Sequence, residues 1–457
     1  MDSTDTNSPD ETLPSRPFIM KFGGTSLRDA AAVRHVATLI ADRLGQRPIV
    51  VVSAHAGVTD ALVRIATEAV DGSPDIDGLE ELHAGITADL GIEVEDHSDL
   101  FGELRDLCQG ITLVSELSRR SKDYVVSFGE RLSARTLAAT LRATGTDARA
   151  FDAFDIGVHS DRAFGRARLL PDEGRIAAAL SDFTGVPVVT GFIAKDDRGN
   201  ITTIGRNGSD LSAAFFGNAL DASEIQIWTD VDGVLTADPK IVPGAQPISR
   251  MTYDEAAELA NAGGKVLHPA SLRPAVDKSI PVRVLNTHRS ESPGTVIVPE
   301  FDEPAAVARC IAHKRHVTLV SVESSSMLAQ AGFLARIFAA FEHSNISVDL
   351  VSTSEVSVSM TLDNTERLDE AVRELEQFSH VTVERELGML CVVGHGIRHR
   401  MGVPARVFAP LRDAGVSVRM ISLGALKVNV SLVVGSDDVD KAVRALHAEF
   451  FEGSASG

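Results

Sequence analysis

A lysine beside paired glycines closes the first apolar run of the chain: Phe18-Ile19-Met20-Lys21-Phe22-Gly23-Gly24-Thr25-Ser26. A strand that ends in Gly-Gly before a helix leaves backbone N–H groups open to an anion, and glycine has no Cβ to hold that anion away. Lys21, at the lip of the turn, is a fixed cation for a phosphate. The G-x-x-x-x-G-K-[ST] loop is absent, so this is another kind of phosphate turn. Five further segments follow in order: Ser53-Ala54-His55-Ala56-Gly57-Val58-Thr59-Asp60, Phe128-Gly129-Glu130-Arg131, Gly205-Arg206-Asn207-Gly208-Ser209-Asp210, Thr229-Asp230-Val231-Asp232-Gly233, and Gly263-Gly264-Lys265-Val266-Leu267-His268-Pro269. Most set small or charged residues just after an apolar run, where an open α/β sheet binds its ligands. Alone, Glu130-Arg131 reads as surface charge and Asp232-Gly233 as an ordinary turn. Their ordered co-occurrence makes six independent plain readings improbable.

These segments need a scaffold, and the pattern supplies one. From Phe18 to Val298 strands alternate with helical stretches, the mark of βαβ units and a mostly parallel sheet. Thr252-Tyr253-Asp254-Glu255 is a capping box and starts a helix. The stretch 71–117 is acidic and helical in character and carries no chemistry that can be named. Pro299-Glu300-Phe301-Asp302-Glu303-Pro304 reads as a linker. Beyond it the pattern repeats. Arg336–Phe341 before Ile346–Ser352 has the spacing of Arg406–Leu411 before Val416–Ser422, an internal duplication. The first copy is expected as strand 317–322, helix 333–343, strands 347–351 and 356–362, helix 367–378 and strand 381–387, a ferredoxin-like βαββαβ unit.

Composition narrows the partners. The chain has 457 residues, enough for two or three domains, and a formal net charge of -20, which argues against nucleic acid and anionic membranes. No apolar run approaches the roughly 20 residues of a membrane helix. The first 16 residues are polar, without the basic start and apolar core of a signal peptide, and are expected to be a disordered tail. Cys108, Cys310 and Cys391 are odd in number and far apart, as expected of reduced thiols in a cytoplasm. An acidic protein that binds anions must hold local cations, and Lys21, Arg206 and Lys265 are placed to do so. No cluster of His, Cys or carboxylates has metal-ligand spacing.

Taken together, the six segments and the duplicated carboxyl half resemble the aspartate kinases of the amino acid kinase superfamily, from Phe18 onward. The resemblance implies a carbamate kinase-like α/β/α sandwich over 17–300, followed by two ACT domains. The first spans 313–387, and the second is built from 301–312 and 388–457, so that one is inserted in the other. It implies phosphorylation of the L-aspartate side chain by ATP at the entry to lysine, threonine and methionine biosynthesis. No homoserine dehydrogenase is expected, since no G-x-G-x-x-G unit follows the second ACT copy.

The implied roles suit the residue types. A carboxylate is ionised at pH 7 and needs no base, so catalysis is mainly positioning and charge neutralisation. Lys21 would stabilise the transferring phosphoryl group, oriented by Asp210. Gly23 and Gly24 would offer N–H groups to the phosphates, and Ser53 a hydroxyl. Arg206 suits bidentate capture of a substrate carboxylate, and Glu130 pairs with its ammonium. Thr59, Phe192 and Ser209 match family positions around the amino acid. Thr229, Asp230, Leu235, Lys240, Lys265 and Val266 match the nucleotide contacts, with Mg²⁺ carried in by ATP and held mainly by phosphates and water. Leu235 stands where the family often has tyrosine, and Ala262-Gly263-Gly264 where it often has aromatic-Gly-Ala; both loosen packing at the nucleotide.

The effector stretch resembles that of the monofunctional, lysine-sensitive class: Met327, Phe333, Leu334, Ser347, Val348, Asp349, Ser354 and Glu355. Asp349 occupies a strand position where the second copy has Arg419. Asp349 and Glu355 are expected at one pocket, where they suit the two ammonium groups of L-lysine. The second copy is expected to serve packing and a homodimer. Two alternatives remain open: another amino acid kinase, which should lack Phe128–Arg131 and the ACT pair, and a catalytically silent ACT sensor, which should have lost Lys21 or Asp210.

Overall fold

The computed structural model describes residues 16–452 except 95, 171, 182, 206, 265–268, 302–306, 328–330, 399 and 424–427. The chain packs as two units: the described residues up to Gly233 with Ala270–Pro299, and those of Val234–Pro269 with Glu300 onward. The segment 234–269, which the sequence reading assigns to the catalytic part, packs with the second unit.

The first unit is built on parallel strands. Phe18–Phe22 lies between Pro48–Val52 and Ile225–Thr229. Val186–Thr190 and Ala148–Phe151 extend one side, Val282–Asn286 the other, and Thr295–Val298 joins antiparallel to Val282–Asn286. The strands 18–22, 48–52 and 186–190 are buried throughout, as continuous apolar runs in a parallel sheet should be. From the strand 18–22 the chain first adds strands on one side and only later on the other. The carboxyl end of this strand is therefore a topological switch point, where such sheets bind ligands. One face carries helix Ala30–Ala41, capped by Asp29, which accepts from the Ala32 N–H at 2.9 Å. The 25-residue helix Arg119–Ala143, capped by Ser118, brings Phe128, Glu130 and Leu132 into the interior.

The first α-helix of the second unit, Tyr253–Asn261, carries a complete capping box at Thr252 and Glu255. Its six-stranded sheet holds both ACT copies. Cys310–Glu323 and His380–Val393, 14 residues each, pair antiparallel along nearly their whole length. Val320 and Val322 pack in the core of the first copy, with helix Phe333–His343. Ile311, Leu390 and Val392 pack in the core of the second, with helix Val403–Asp413. Where one copy gives way to the other the register slips. There His316 and Glu386 both take left-handed φ, 59° and 55°, and bond at 2.8 Å.

Candidate active site

Three loops meet at the carboxyl end of strand 18–22. Ser53 donates its N–H to the Phe22 carbonyl at 3.1 Å, and Gly23 lies 3.4 Å from the Trp228 carbonyl. The Gly23–Gly24 turn opens a short 3₁₀ turn, Gly24–Leu27. A Cβ on Gly24 would lie 2.9 Å from the Ala54 carbonyl, so only glycine lets the two loops approach this closely.

Lys21 Nζ lies 2.5 Å from Asp210 Oδ1, and both side chains are 11 % exposed. Asp210 stands in the first turn of helix Gly208–Ala219. Before that helix Asn207 has φ 56°, a left-handed position that Asn adopts more readily than most residues with a side chain. A Cβ on Gly191 would lie 2.8 Å from Ser209 Cβ, and one on Gly208 would lie 2.7 Å from Phe192 Cδ2. Phe192, itself left-handed at φ 66°, donates its N–H to Ser212 Oγ at 2.9 Å. Phe192, Ser209 and Asp210 are thus assembled from two loops without room to spare.

Glu130 is 3 % exposed; its Oε1 accepts from the Ala54 N–H at 3.1 Å, and its Oε2 has no partner. Burial pushes its carboxyl up to about 8, against the Ala54 hydrogen bond and the Lys21 charge. Gly129 makes this placement possible, because a Cβ there would sit 2.7 Å from Ala54 Cβ. Arg131, next to it, pairs with Asp152 at 3.1 Å and Glu103 at 3.0 Å and is structural. Thr59 sits in the first turn of helix Val58–Glu68, directly after the Ser53–Gly57 loop. Thr229 ends its strand, and its hydroxyl donates to Asp230 Oδ1 at 3.2 Å. Leu235 and Lys240 belong to the second unit. There Leu235 bridges to Pro247, and the Lys240 N–H donates to Asp238 Oδ1 at 2.9 Å. Arg206, Lys265 and Val266 lie outside the described residues.

Sequence reasoning missed Asp123. It is 3 % exposed and accepts from the N–H groups of Thr203 and Gly165, both at 2.8 Å, and from the Thr203 hydroxyl at 2.9 Å. It therefore pins the strand that leads into Ile204–Asp210. The available signal was its place seven residues before Glu130, on the same helix face.

In the regulatory half, Phe333 is 3 % exposed and packs into the first copy's core, edge-on to Phe378, while Leu334 is 42 % exposed. Met327 ends a short 3₁₀ turn and packs against that core. Ser347, Val348 and Asp349 start the strand Val348–Thr353, and Ser354 and Glu355 form the turn after it. Asp349 is the second residue of that strand, and the exposed Glu355 lies two residues past its end.

The fold and this crevice define an amino acid kinase coupled to amino-acid-sensing modules. Residues 16–286 match the amino acid kinase family, and 320–377 and 390–450 match the ACT domain. Aspartokinase 3, chloroplastic, of Arabidopsis thaliana is 42 % identical over 95 % of this chain and 81 % of its own. Lysine-sensitive aspartokinase 3 of Escherichia coli is 35 % identical over 96 % of this chain and 100 % of its own. The structure of E. coli aspartokinase III in complex with aspartate and ADP superposes with a TM-score of 0.81 at 33 % identity, covering 95 % of this chain and all of that one. The lysine and aspartate complex of the same enzyme gives a TM-score of 0.78 at 33 % identity, covering 96 % of this chain and all of that one. The chain belongs to the aspartokinase family.

Proposed function

We propose that the chain transfers the γ-phosphoryl group of ATP to the side-chain carboxylate of L-aspartate, giving 4-phospho-L-aspartate and ADP, and that L-lysine inhibits it through the ACT half. The observation that carries the catalytic reading is the Lys21–Asp210 pair at the switch point, beside Glu130 with its unpaired Oε2. The aspartate oxygen attacks the γ-phosphorus and ADP leaves, so no proton need move. The obstacle is repulsion between two anions. Lys21, oriented by Asp210, offsets the charge that builds on the phosphoryl oxygens. The ammonium of aspartate enters beside Glu130 and draws this carboxyl into its ionised form. Arg206 takes the α-carboxylate, and Thr59, Phe192 and Ser209 wall the amino acid. The Gly23–Gly24 turn and Ser53 face the phosphates, and Thr229, Asp230, Leu235, Lys240, Lys265 and Val266 the nucleotide. Magnesium arrives with ATP, held mainly by phosphates and water.

Lysine as effector follows from the E. coli relative, named lysine-sensitive, and from Asp349 at the head of its strand. A homodimer through the ACT half is favoured by apolar side chains exposed on the first copy: Leu334 at 42 %, Phe338 at 40 %, Val351 at 36 % and Val356 at 43 %. Among the described residues no helix is long and apolar enough to cross a membrane, and Cys108, Cys310 and Cys391 form no disulfide. A reducing cytoplasm suits this chemistry. A coupled assay of ADP release tests the proposal. Release should require aspartate, be far slower with glutamate, and fall when lysine is added. Equal rates with glutamate would overturn the substrate assignment, and inhibition by threonine alone would overturn the effector.

A further inference from the structure

The Asp232-Gly233 turn follows closely on Thr229 and Asp230 and has no task in the chemistry above. It is held from behind. Strand Val282–Asn286 runs parallel to Ile225–Thr229, with Asn286 level with Thr229. The buried Asn286 amide donates to Asp232 Oδ1 at 2.7 Å and reaches the Asp230 carbonyl at 3.4 Å. Its Oδ1 accepts from the His288 N–H at 2.8 Å. Asp232 Oδ2 pairs with Arg289 at 2.5 Å, so both carboxylate oxygens are engaged by the strand end and its continuation. Gly233 has φ 102°, and a Cβ there would lie 2.5 Å from Thr295 Oγ1, so only glycine lets the turn lie this close to the next strand.

The residue after Asn286 holds a second loop. Thr287 is fully buried, and each of its polar atoms is used. Its N–H donates to the Thr229 carbonyl at 2.8 Å. Its hydroxyl bonds the Ser26 hydroxyl at 2.7 Å, and its carbonyl accepts from His35 Nε2 at 2.5 Å. Ser26 lies inside the 3₁₀ turn Gly24–Leu27 that the paired glycines open, and its N–H donates to the Gly23 carbonyl at 3.0 Å. Two adjacent residues at one strand end therefore register both the nucleotide loop and the phosphate turn. Neither is among the ligand contacts proposed above.

We infer that Asn286 and Thr287 are positioning residues for ATP. They fix the distance between the loop that takes the nucleoside and the turn that takes the phosphates, and so set where the γ-phosphate meets Lys21. The inference rests on the reading of Thr229 and Asp230 as nucleotide contacts. Phosphoryl transfer depends on placement, and a misplacement of about 1 Å costs on the order of 10²-fold in rate. A buried strand end suits this task, because an amide or hydroxyl that loses its partner there has no water to replace it.

Steady-state kinetics of the full chain test this, with melting temperatures recorded alongside. Asn286→Asp keeps the shape of the side chain and sets a carboxylate against Asp232. It should raise KM for ATP at least about 10-fold and leave KM for aspartate within about 2-fold. Combining it with Asp232→Asn restores one amide facing one carboxylate and should recover most of that loss. Thr287→Val keeps the shape, removes the hydroxyl that meets Ser26, and should lower kcat about 10-fold, while Thr287→Ser stays within about 2-fold of the wild type. A variant that merely loosened the fold would lower Tm without separating the two KM values. Asp230→Arg alters the nucleotide loop itself and tests the reading beneath. If it raises KM for ATP while Asn286→Asp and Thr287→Val leave KM and kcat unchanged, or if the combined variant recovers nothing, the positioning role is overturned and the nucleotide reading stands. If Asp230→Arg changes nothing, both fall.

Discussion

The loop Ser53–Gly57 runs between two buried groups of ionisable side chains that have reached opposite states. Ala54 reaches toward the site, donating to Glu130 near Lys21 and Asp210. His55 turns the other way: its Nδ1 meets the Leu27 carbonyl at 2.5 Å, and its ring packs on His83 at 5.2 Å, which packs on His97 at 5.8 Å. Burial pushes His55 down to about 4 and His83 down to about 2; it lowers His97 as well, against a hydrogen bond to the Leu132 carbonyl. Neither ring nitrogen of His83 has a partner. Both groups are out of water, so burial alone does not decide whether charge persists. The site has an opposite charge at contact distance, whereas His83, at the centre of the cluster, meets only the rings of His55, His97 and Phe101.

Three experiments would break or sharpen that contrast. The largest effect is expected at Lys21. Lys21→Ala should lower kcat at least about 10²-fold, the scale for losing one preorganised electrostatic stabiliser, with the circular dichroism spectrum unchanged. Near wild-type turnover would remove Lys21 from the chemistry.

Glu130 lies between the two extremes, since it is buried like the histidines but waits for a cation. Glu130→Gln should raise KM for aspartate about 10-fold and change KM for ATP less than about 2-fold. The carboxyl titrates near 8 in the native state and at its ordinary 4.5 when unfolded. Its contribution is fully present below about pH 4.5 and is lost as pH rises toward 8, where the ligand-free enzyme must bury a charge. The melting temperature of Glu130→Gln minus that of the wild type should therefore grow from pH 5 to pH 8. A gap independent of pH would mean that Glu130 is already paired.

The smallest effect is expected at His83. The native rings titrate well below the ordinary 6.5, so the unfolded chain takes up protons first, and stability falls as pH drops below about 6.5 toward 4. His83→Phe should flatten this acid limb by a few degrees in Tm and leave kcat at pH 8 unchanged. An acid limb as steep as the wild type's would mean that the cluster is not what acid attacks.

Much of this was legible in the sequence because the signals are local. The helix expected over 333–343 is found at Phe333–His343, and both hydrogen bonds of the capping box at Thr252 and Glu255 are present. Lys21 and Asp210, 189 positions apart, are brought to 2.5 Å by two turns that each follow from glycine or asparagine patterning. What escaped was long-range. Asp123 looks like any acid on a helix until the strand 201–203 folds onto it. Glu258 and Asn429, 171 residues apart, meet only because the segment 234–269 packs with the second unit.

The two 14-residue strands of the regulatory half carry an evolutionary consequence. Cys310–Glu323 closes the second sensing module with its first residues and opens the first module with its last, and His380–Val393 does the reverse. Neither module owns four strands of its own. Gene fusion or exchange can move the pair, but cutting at His316 or Glu386 would leave two incomplete sheets. A lineage that no longer needs the second module as a sensor must still keep it as a scaffold, free to drift in its ligand residues but not in its strands.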